Sequence, residues 1–129
     1  TDDGLDVTLV LRAQRVRGTL GTALVAGDFV LSAGWGTTAS VGTITGTDQR
    51  WQATFTSAGT GQGASPTIAL TFKDGTWNTV PILVIVRNGG TGAGITGFTW
   101  SATATVLTIT AVGTPIAAET YTLVAITNG

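Results

Sequence analysis

The chain has 129 residues, of which 43% are hydrophobic and only 10% are charged, and its net charge is −1. This length suits a single domain with one core that buries about two-thirds of the unfolded surface. The absence of cysteine excludes disulfides and thiolate sites, the absence of histidine removes the usual general base, and the absence of a basic block argues against nucleic-acid binding.

Residues 1–21 differ in chemistry from the rest of the chain. Nearly half of all charged residues lie among the first seventeen positions: Asp2, Asp3, Asp6, Arg12, Arg15 and Arg17. We interpret this segment as an extended arm or short shaft with strands around residues 7–11 and 15–17. The alternative is a solvated hairpin of the same domain. It lacks the basic and apolar regions of a signal peptide.

From Thr22 to the end, apolar and polar residues alternate, which is the pattern of strands with one buried face. The apolar sets are Trp51, Ala53 and Phe55; Ile68, Leu70 and Phe72; Leu107, Ile109 and Ala111; and Tyr121, Leu123 and Ala125. Glycine-containing turn sequences separate them at intervals near ten residues. Residues 22–129 are therefore predicted to form an all-β domain, an antiparallel β-sandwich or jelly-roll-like fold.

Residues 81–86 are the exception to the alternation, because an unbroken run of β-branched and aliphatic residues follows Pro81. Such a run is typical of a strand covered on both faces. We expect it to be a central strand or to lie at a subunit interface, where Ile82, Val84 and Val86 would make the contact. It is much shorter than the roughly 18 residues that cross a bilayer, so no membrane insertion is expected.

Low charge supports the interface interpretation. With 10% charged residues and a mean hydropathy of +0.38, a monomer would expose large apolar patches of the kind that mark interaction surfaces. The sequence therefore predicts a homo-oligomer.

No set of residues supports catalysis, a metal site or a cofactor. Residues 92–97 have the G-x-G-x-x-G form, but a dinucleotide site needs a helix after the third glycine, and the following residues have a strand pattern. Asp28, Asp48 and Asp74 lie at or beside turn glycines and are interpreted first as turn formers. A carboxylate-based glycosidase using Asp74 or Glu119 is the remaining enzymatic alternative.

Tryptophans are the main candidates for ligand contact. Trp51 and Trp100 lie in alternating strands, which predicts core packing. Trp35 and Trp77 lie in turn-like sequence, where each could contact a ligand or cap one end of the sandwich. The candidate ligand-contact residues are Trp77, Asn78, Asn88 and Trp35.

Much of the chain resembles the β-rich distal domains of tailed-bacteriophage fibres and related virion appendages. The resemblance is carried by Pro81 and by residues 37–41, 48–56, 66–72, 74–77, 86–88, 104–109, 113–117 and 120–123. Residues 3–9 and 15–18 are similar to the shaft segment that precedes such tips.

The resemblance implies a homotrimer on the virion surface whose loops attach to host glycans or proteins. It implies no catalytic activity. The alternative is a capsid decoration or head-fibre protein that stabilises the shell and grips other virion proteins with its N-terminal arm.

Overall fold

The computed structural model describes residues 21–128, so the predicted arm, apart from Gly21, lies outside the described residues. Two short 3-10 turns, Ala26–Asp28 and Ala33–Trp35, accompany eight strands. The strands are β1 (Phe29–Leu31), β2 (Ser40–Thr47), β3 (Arg50–Thr56), β4 (Thr67–Thr71), β5 (Ile82–Gly89), β6 (Ile95–Ala102), β7 (Val106–Gly113) and β8 (Thr120–Asn128). In this part of the chain, no helix has the length and apolar character needed to cross a membrane.

The strands form two antiparallel sheets of four, which confirms the predicted all-β sandwich. The first sheet has the order β1-β4-β7-β6 and the second has the order β2-β3-β8-β5. Each alternating set found in the sequence contributes to the core between the sheets. Trp51, Phe55, Leu107 and Leu123 are all at most 1% exposed. Period-two alternation therefore identified the inward faces correctly.

The prediction that residues 81–86 form a central strand is wrong. Strand β5 is the edge of the second sheet and pairs only with β8 among the described strands. Leu83 and Ile85 face the core, whereas Ile82, Val84 and Val86 are 73%, 55% and 56% exposed. The apolar run thus supplies one buried face and one exposed face. Its role at a subunit interface stays a prediction.

Trp100 also departs from its predicted place in the core, since it is 38% exposed. It lies on β6, the edge of the first sheet, and its Nε1 donates a hydrogen bond of 3.1 Å to the carbonyl oxygen of Leu83 on β5. The indole therefore joins the edges of the two sheets along one side of the sandwich.

The glycine-rich connection between β5 and β6 is held in place by side chains. The Arg87 guanidinium donates to the carbonyl oxygens of Gly89, Gly90 and Gly92 and lies 5.4 Å from the centre of the Tyr121 ring. The Tyr121 hydroxyl donates to the carbonyl oxygen of Ala93 at 2.8 Å. Residues 95–102 continue as β6, as predicted, so the helix that a dinucleotide site needs is absent at this position.

Replacing Gly92 with alanine is expected to lower the free energy of unfolding by about 1–3 kcal/mol, as in other overpacked sites. The new Cβ would overlap both the Arg87 guanidinium and the Tyr121 ring. Gly97→Ala is the matched control, because a Cβ there meets no heavy atom within 4 Å. Urea denaturation of both variants measures the difference, and equal stabilities would contradict the tight packing at Gly92.

Candidate functional site

A cleft of about 310 Å³ lies at the end of the sandwich where the β2–β3 turn meets the connection between β4 and β5. The side chains of Asp48 and Gln49 line it from the turn. The connection contributes Asp74, Trp77 and Asn78. Two segments that are distant in sequence thus form its two walls, and Gly21 also lines it.

Asp48 fixes the β4–β5 connection against the β2–β3 turn. Its Oδ2 accepts hydrogen bonds from the backbone N–H groups of Lys73 and Asp74 at 2.7 and 2.8 Å. The residue is 3% exposed, and its Oδ1 has no hydrogen-bond partner among residues 21–128. A carboxylate oxygen binds such N–H groups more strongly than a neutral oxygen does, because charge-assisted hydrogen bonds are stronger than neutral ones. Asp48 is therefore a positioning residue for the wall that carries Trp77.

Asp74 is exposed and ties the segment around residue 22 to the same connection. The backbone N–H of Thr22 donates to both of its carboxylate oxygens, at 3.0 and 2.9 Å. These hydrogen bonds lower the pKa of Asp74 below its ordinary value of 3.8. Because the folded pKa is the lower one, this contact stabilises the fold above about pH 3.8 and is lost as the pH falls through the folded pKa.

Trp77 is half-buried and is held through both its backbone and its ring. Its N–H donates to the carbonyl oxygen of Ala104 at 2.9 Å. Its indole packs edge-on against Phe72, with centroids 5.8 Å apart and an interplanar angle of 78°. Phe72 is itself buried in the core, so the indole packs against a side chain that is held in place. This arrangement fixes the ring without enclosing it.

The cleft combines one aromatic ring, amide groups and an ionised carboxylate. Within the described part of the chain, no basic residue lines it. The nearby Lys73 instead pairs with Asp28, with 3.1 Å between Nζ and Oδ2. The site is therefore suited to hydrogen-bonding a neutral, hydroxyl-rich ligand, and its negative charge disfavours anions.

No protein-family model matches this chain, and neither the curated proteins nor the solved structures give a significant match. The side chains of the cleft are therefore the basis for assigning a ligand.

The structure separates the four predicted ligand-contact residues. Trp77 and Asn78 lie together in the cleft. Asn88 is near the far end of β5, where its Nδ2 lies 3.4 Å from the Gln52 Oε1. From Asn78 to Asn88, the chain runs nearly the full length of β5, about 25 Å for eight residues. One small ligand in the cleft thus does not reach Asn88.

The prediction that Trp35 contacts a ligand is wrong. Trp35 is 0% exposed, and its indole packs edge-on against Tyr121 at a centroid distance of 5.4 Å. Its Nε1 donates to the carbonyl oxygen of Thr67 at 2.9 Å. The 3-10 turn at Ala33–Trp35 directs the ring into the core, where it closes one end of the sandwich. This is the capping role that the sequence offered as the alternative.

Sequence reasoning missed the contributions of Asp48, Gln49 and Asp74 to the cleft. Asp48 and Asp74 were interpreted as turn formers, and both do lie in turns, but their carboxylates also connect the two walls. The available signal was the pair of Asp-containing turns at residues 46–48 and 73–75. Nothing in the local sequence of either turn indicates that the two turns are in contact in the folded chain.

A glycosidase using Asp74 or Glu119 was the enzymatic alternative, and the structure does not bring these two carboxylates together as a catalytic pair. Glu119 directly precedes β8, whereas Asp74 lies beside the β2–β3 turn, whose Gln49 carbonyl accepts a hydrogen bond from Thr127 near the other end of β8. The nine residues of β8 span about 26 Å at the usual rise. Catalytic carboxylate pairs are about 5–10 Å apart.

Proposed function

We propose that this chain is a non-enzymatic attachment module that binds a neutral glycan in the cleft. The observation that carries the proposal is the fixed, half-exposed indole of Trp77 beside the Asp74 carboxylate and the Asn78 amide. The face of an aromatic ring carries partial negative charge and attracts the polarised C–H groups on one side of a sugar ring. The amide and carboxylate groups bind its hydroxyls.

The size and charge of the cleft define the ligand class. A volume of about 310 Å³ is at the lower end of small-molecule sites, which are about 300–1,000 Å³. It suits one or two sugar rings. The Asp74 carboxylate is ionised at neutral pH, and the Thr22 N–H lowers its pKa further, so it repels sialylated, sulfated and phosphorylated sugars.

Binding without turnover fits the two carboxylates of the site. A glycosidase needs a general acid whose pKa is raised, and the pKa of Asp74 is lowered instead. The Oδ2 of Asp48 already accepts two backbone N–H groups, and the residue is almost fully buried. Neither carboxylate is arranged to donate a proton to a leaving group.

The cleft favours attachment over shell decoration, because a subunit that only stabilises a shell needs no preformed polar cleft with a fixed tryptophan. The virion location and the trimer that the sequence resemblance implies stay predictions. A small neutral-glycan site would serve such a module in attachment to a host surface.

Glycan-array binding followed by calorimetry with the strongest neutral ligand tests this function. Trp77→Ala is expected to weaken binding by about 30-fold or more, the loss expected when a central aromatic contact worth about 2 kcal/mol is truncated. Trp77→Phe should retain part of the affinity, because a smaller ring can still pack on Phe72.

Asparagine variants provide a matched pair for the same assay. Asn78→Ala is expected to weaken binding, whereas Asn88→Ala should leave it unchanged, because only Asn78 lines the cleft. The absence of binding to any neutral glycan at millimolar concentration would overturn the proposal. Unchanged affinity in Trp77→Ala would do the same.

A further inference from the structure

Asn88 and Gly89, at the end of β5, form an Asn-Gly pair that the cleft does not use. Asn88 is exposed, and among residues 21–128 its side chain makes one hydrogen bond, from its Nδ2 to the Gln52 Oε1 at 3.4 Å. That distance exceeds the usual range of about 2.7–3.2 Å for an N–H···O bond. The Asn88 amide is therefore accessible to water and only weakly held.

The backbone at Asn88 lies outside the regular ladder of the sheet. Arg87 and Gly89, two residues apart, pair with adjacent residues of β8. The register therefore shifts by one, and Asn88 has no partner on β8. Such an extra residue is a β-bulge, which disrupts the ladder locally. Among the described strands β5 is also an edge, so no second strand restrains Asn88 from its open side.

An asparagine followed by glycine reacts readily with its own backbone. The Gly89 nitrogen attacks the Asn88 Cγ, and a C–N bond forms as the side-chain nitrogen leaves as ammonia, taking the proton of the Gly89 N–H. The product is a five-membered succinimide ring. Water then opens the ring at either carbonyl and leaves aspartate or isoaspartate at position 88. Glycine favours the attack because it has no Cβ to crowd the ring.

We propose that Asn88 is a site of spontaneous deamidation in the folded chain, with water as the other reactant. Exposure, the β-bulge and the following glycine occur together at this residue. Asn78 provides the contrast, because it is also exposed but precedes Thr79. The β-branched side chain of threonine crowds the attacking nitrogen. The sequence has a second Asn-Gly pair at residues 128–129, of which Gly129 lies outside the described residues.

Deamidation changes both the charge and the backbone at the end of β5. Each event adds one negative charge to a chain whose net charge is −1. Isoaspartate also lengthens the backbone before Gly89 by one carbon, which displaces the Gly89 carbonyl that Arg87 Nε binds at 3.3 Å. The β5–β6 connection is therefore held less firmly in the modified chain. The cleft is unchanged, because residues 87–89 do not line it.

Mass spectrometry of the full chain, incubated folded at neutral pH and body temperature over several weeks, tests this inference. Each deamidated molecule gains about 1 Da, a covalent change that also alters its charge. Fragmentation of the tryptic peptide that follows Arg87 distinguishes a gain at Asn88 from one at Asn128. The gain at Asn88 is expected to exceed that at Asn78, and isoelectric focusing should show a more acidic form that accumulates with time.

Gly89→Ala is the matched variant, because a Cβ at this position lies 3.7 Å from the Thr122 Cβ, which is ordinary van der Waals contact. It is expected to slow deamidation about tenfold, which corresponds to about 1.4 kcal/mol in the barrier. Asn88→Gln should abolish the gain of mass at this position, because glutamine would have to form a larger ring. Circular dichroism verifies that both variants are folded.

Three results would overturn the proposal. Asn88 could remain an amide for as long as Asn78 does. The rate could be equal in Gly89→Ala and in the original protein, which would exclude attack by the Gly89 nitrogen. Deamidation could also be confined to the urea-unfolded chain, which would show that the folded strand protects Asn88. Because Asn88 does not line the cleft, failure of glycan binding would leave this inference intact.

Discussion

Trp35→Ala is expected to lower the free energy of unfolding by about 3–5 kcal/mol, the usual cost of truncating a buried tryptophan. The indole is fully buried against Tyr121, so alanine leaves a cavity between the sheets. The Thr67 carbonyl also loses the N–H that it accepts at 2.9 Å. Since domains of this size are stable by only about 5–15 kcal/mol, the variant is expected to be close to the limit of folding.

Urea denaturation followed by circular dichroism measures this change. An unchanged m-value, the slope of the unfolding free energy against urea concentration, would show that the variant and the original protein expose a similar surface on unfolding. Trp100→Ala is the comparison variant, because Trp100 is partly exposed on an edge strand. It should destabilise the domain less than Trp35→Ala does. A loss of about 0.5 kcal/mol or less for Trp35→Ala would contradict the buried position, since that is the range of surface substitutions.

The contrast between Trp35 and Trp51 shows what a local pattern can predict. Trp51 lies in a strand whose alternation defines its inward face, and the structure places it in the core. Trp35 lies between two glycines, which predict a turn but not the direction in which its side chain points. That direction depends on Tyr121 and on the Thr67 carbonyl, 32 residues away. Such partners are known only once the fold is known.

Residues 81–86 illustrate a second limit. A run of apolar residues fits a strand buried on both faces within one chain, but it also fits an edge strand with an apolar outer face. The sequence cannot separate these cases, because both place a hydrophobic side chain at every position. The order of the strands in the sheet decides whether this strand is central or at the edge. That order depends on the pairing of β5 with β8, which begins more than thirty residues after β5 ends.

The cleft was predictable in part for the same reason. Trp77 and Asn78 were named as candidates because they lie in turn-like sequence, where a tryptophan can contact a ligand or cap one end of the sandwich. Asp48 lies 25 residues before the N–H of Lys73 that it binds. The two turn-forming aspartates line one site only because the fold brings their turns into contact.

Asp48→Ala is expected to lower the free energy of unfolding by about 2 kcal/mol and to weaken glycan binding at the same time. Each hydrogen bond to a charged group contributes about 1.5–3 kcal/mol, so two backbone N–H donors lose a strong acceptor. Removing the buried Oδ1, which has no partner among the described residues, offsets part of this loss. With the Lys73 and Asp74 amides released, the connection that carries Trp77 is no longer held against the β2–β3 turn.

Amide hydrogen exchange is the direct measurement of this release, because a positioning role predicts faster exchange at Lys73 and Asp74 while the amides of β7 and β8 stay protected. Asp48→Asn is the matched variant: its single acceptor oxygen can still receive both N–H groups, so it should lose less stability and less affinity than the alanine variant. If the Lys73 and Asp74 amides stayed protected in Asp48→Ala, Asp48 would not position the loop. If exchange rose without any loss of glycan affinity, the ligand would bind without the fixed Trp77 ring, and the rigid cleft would not explain binding.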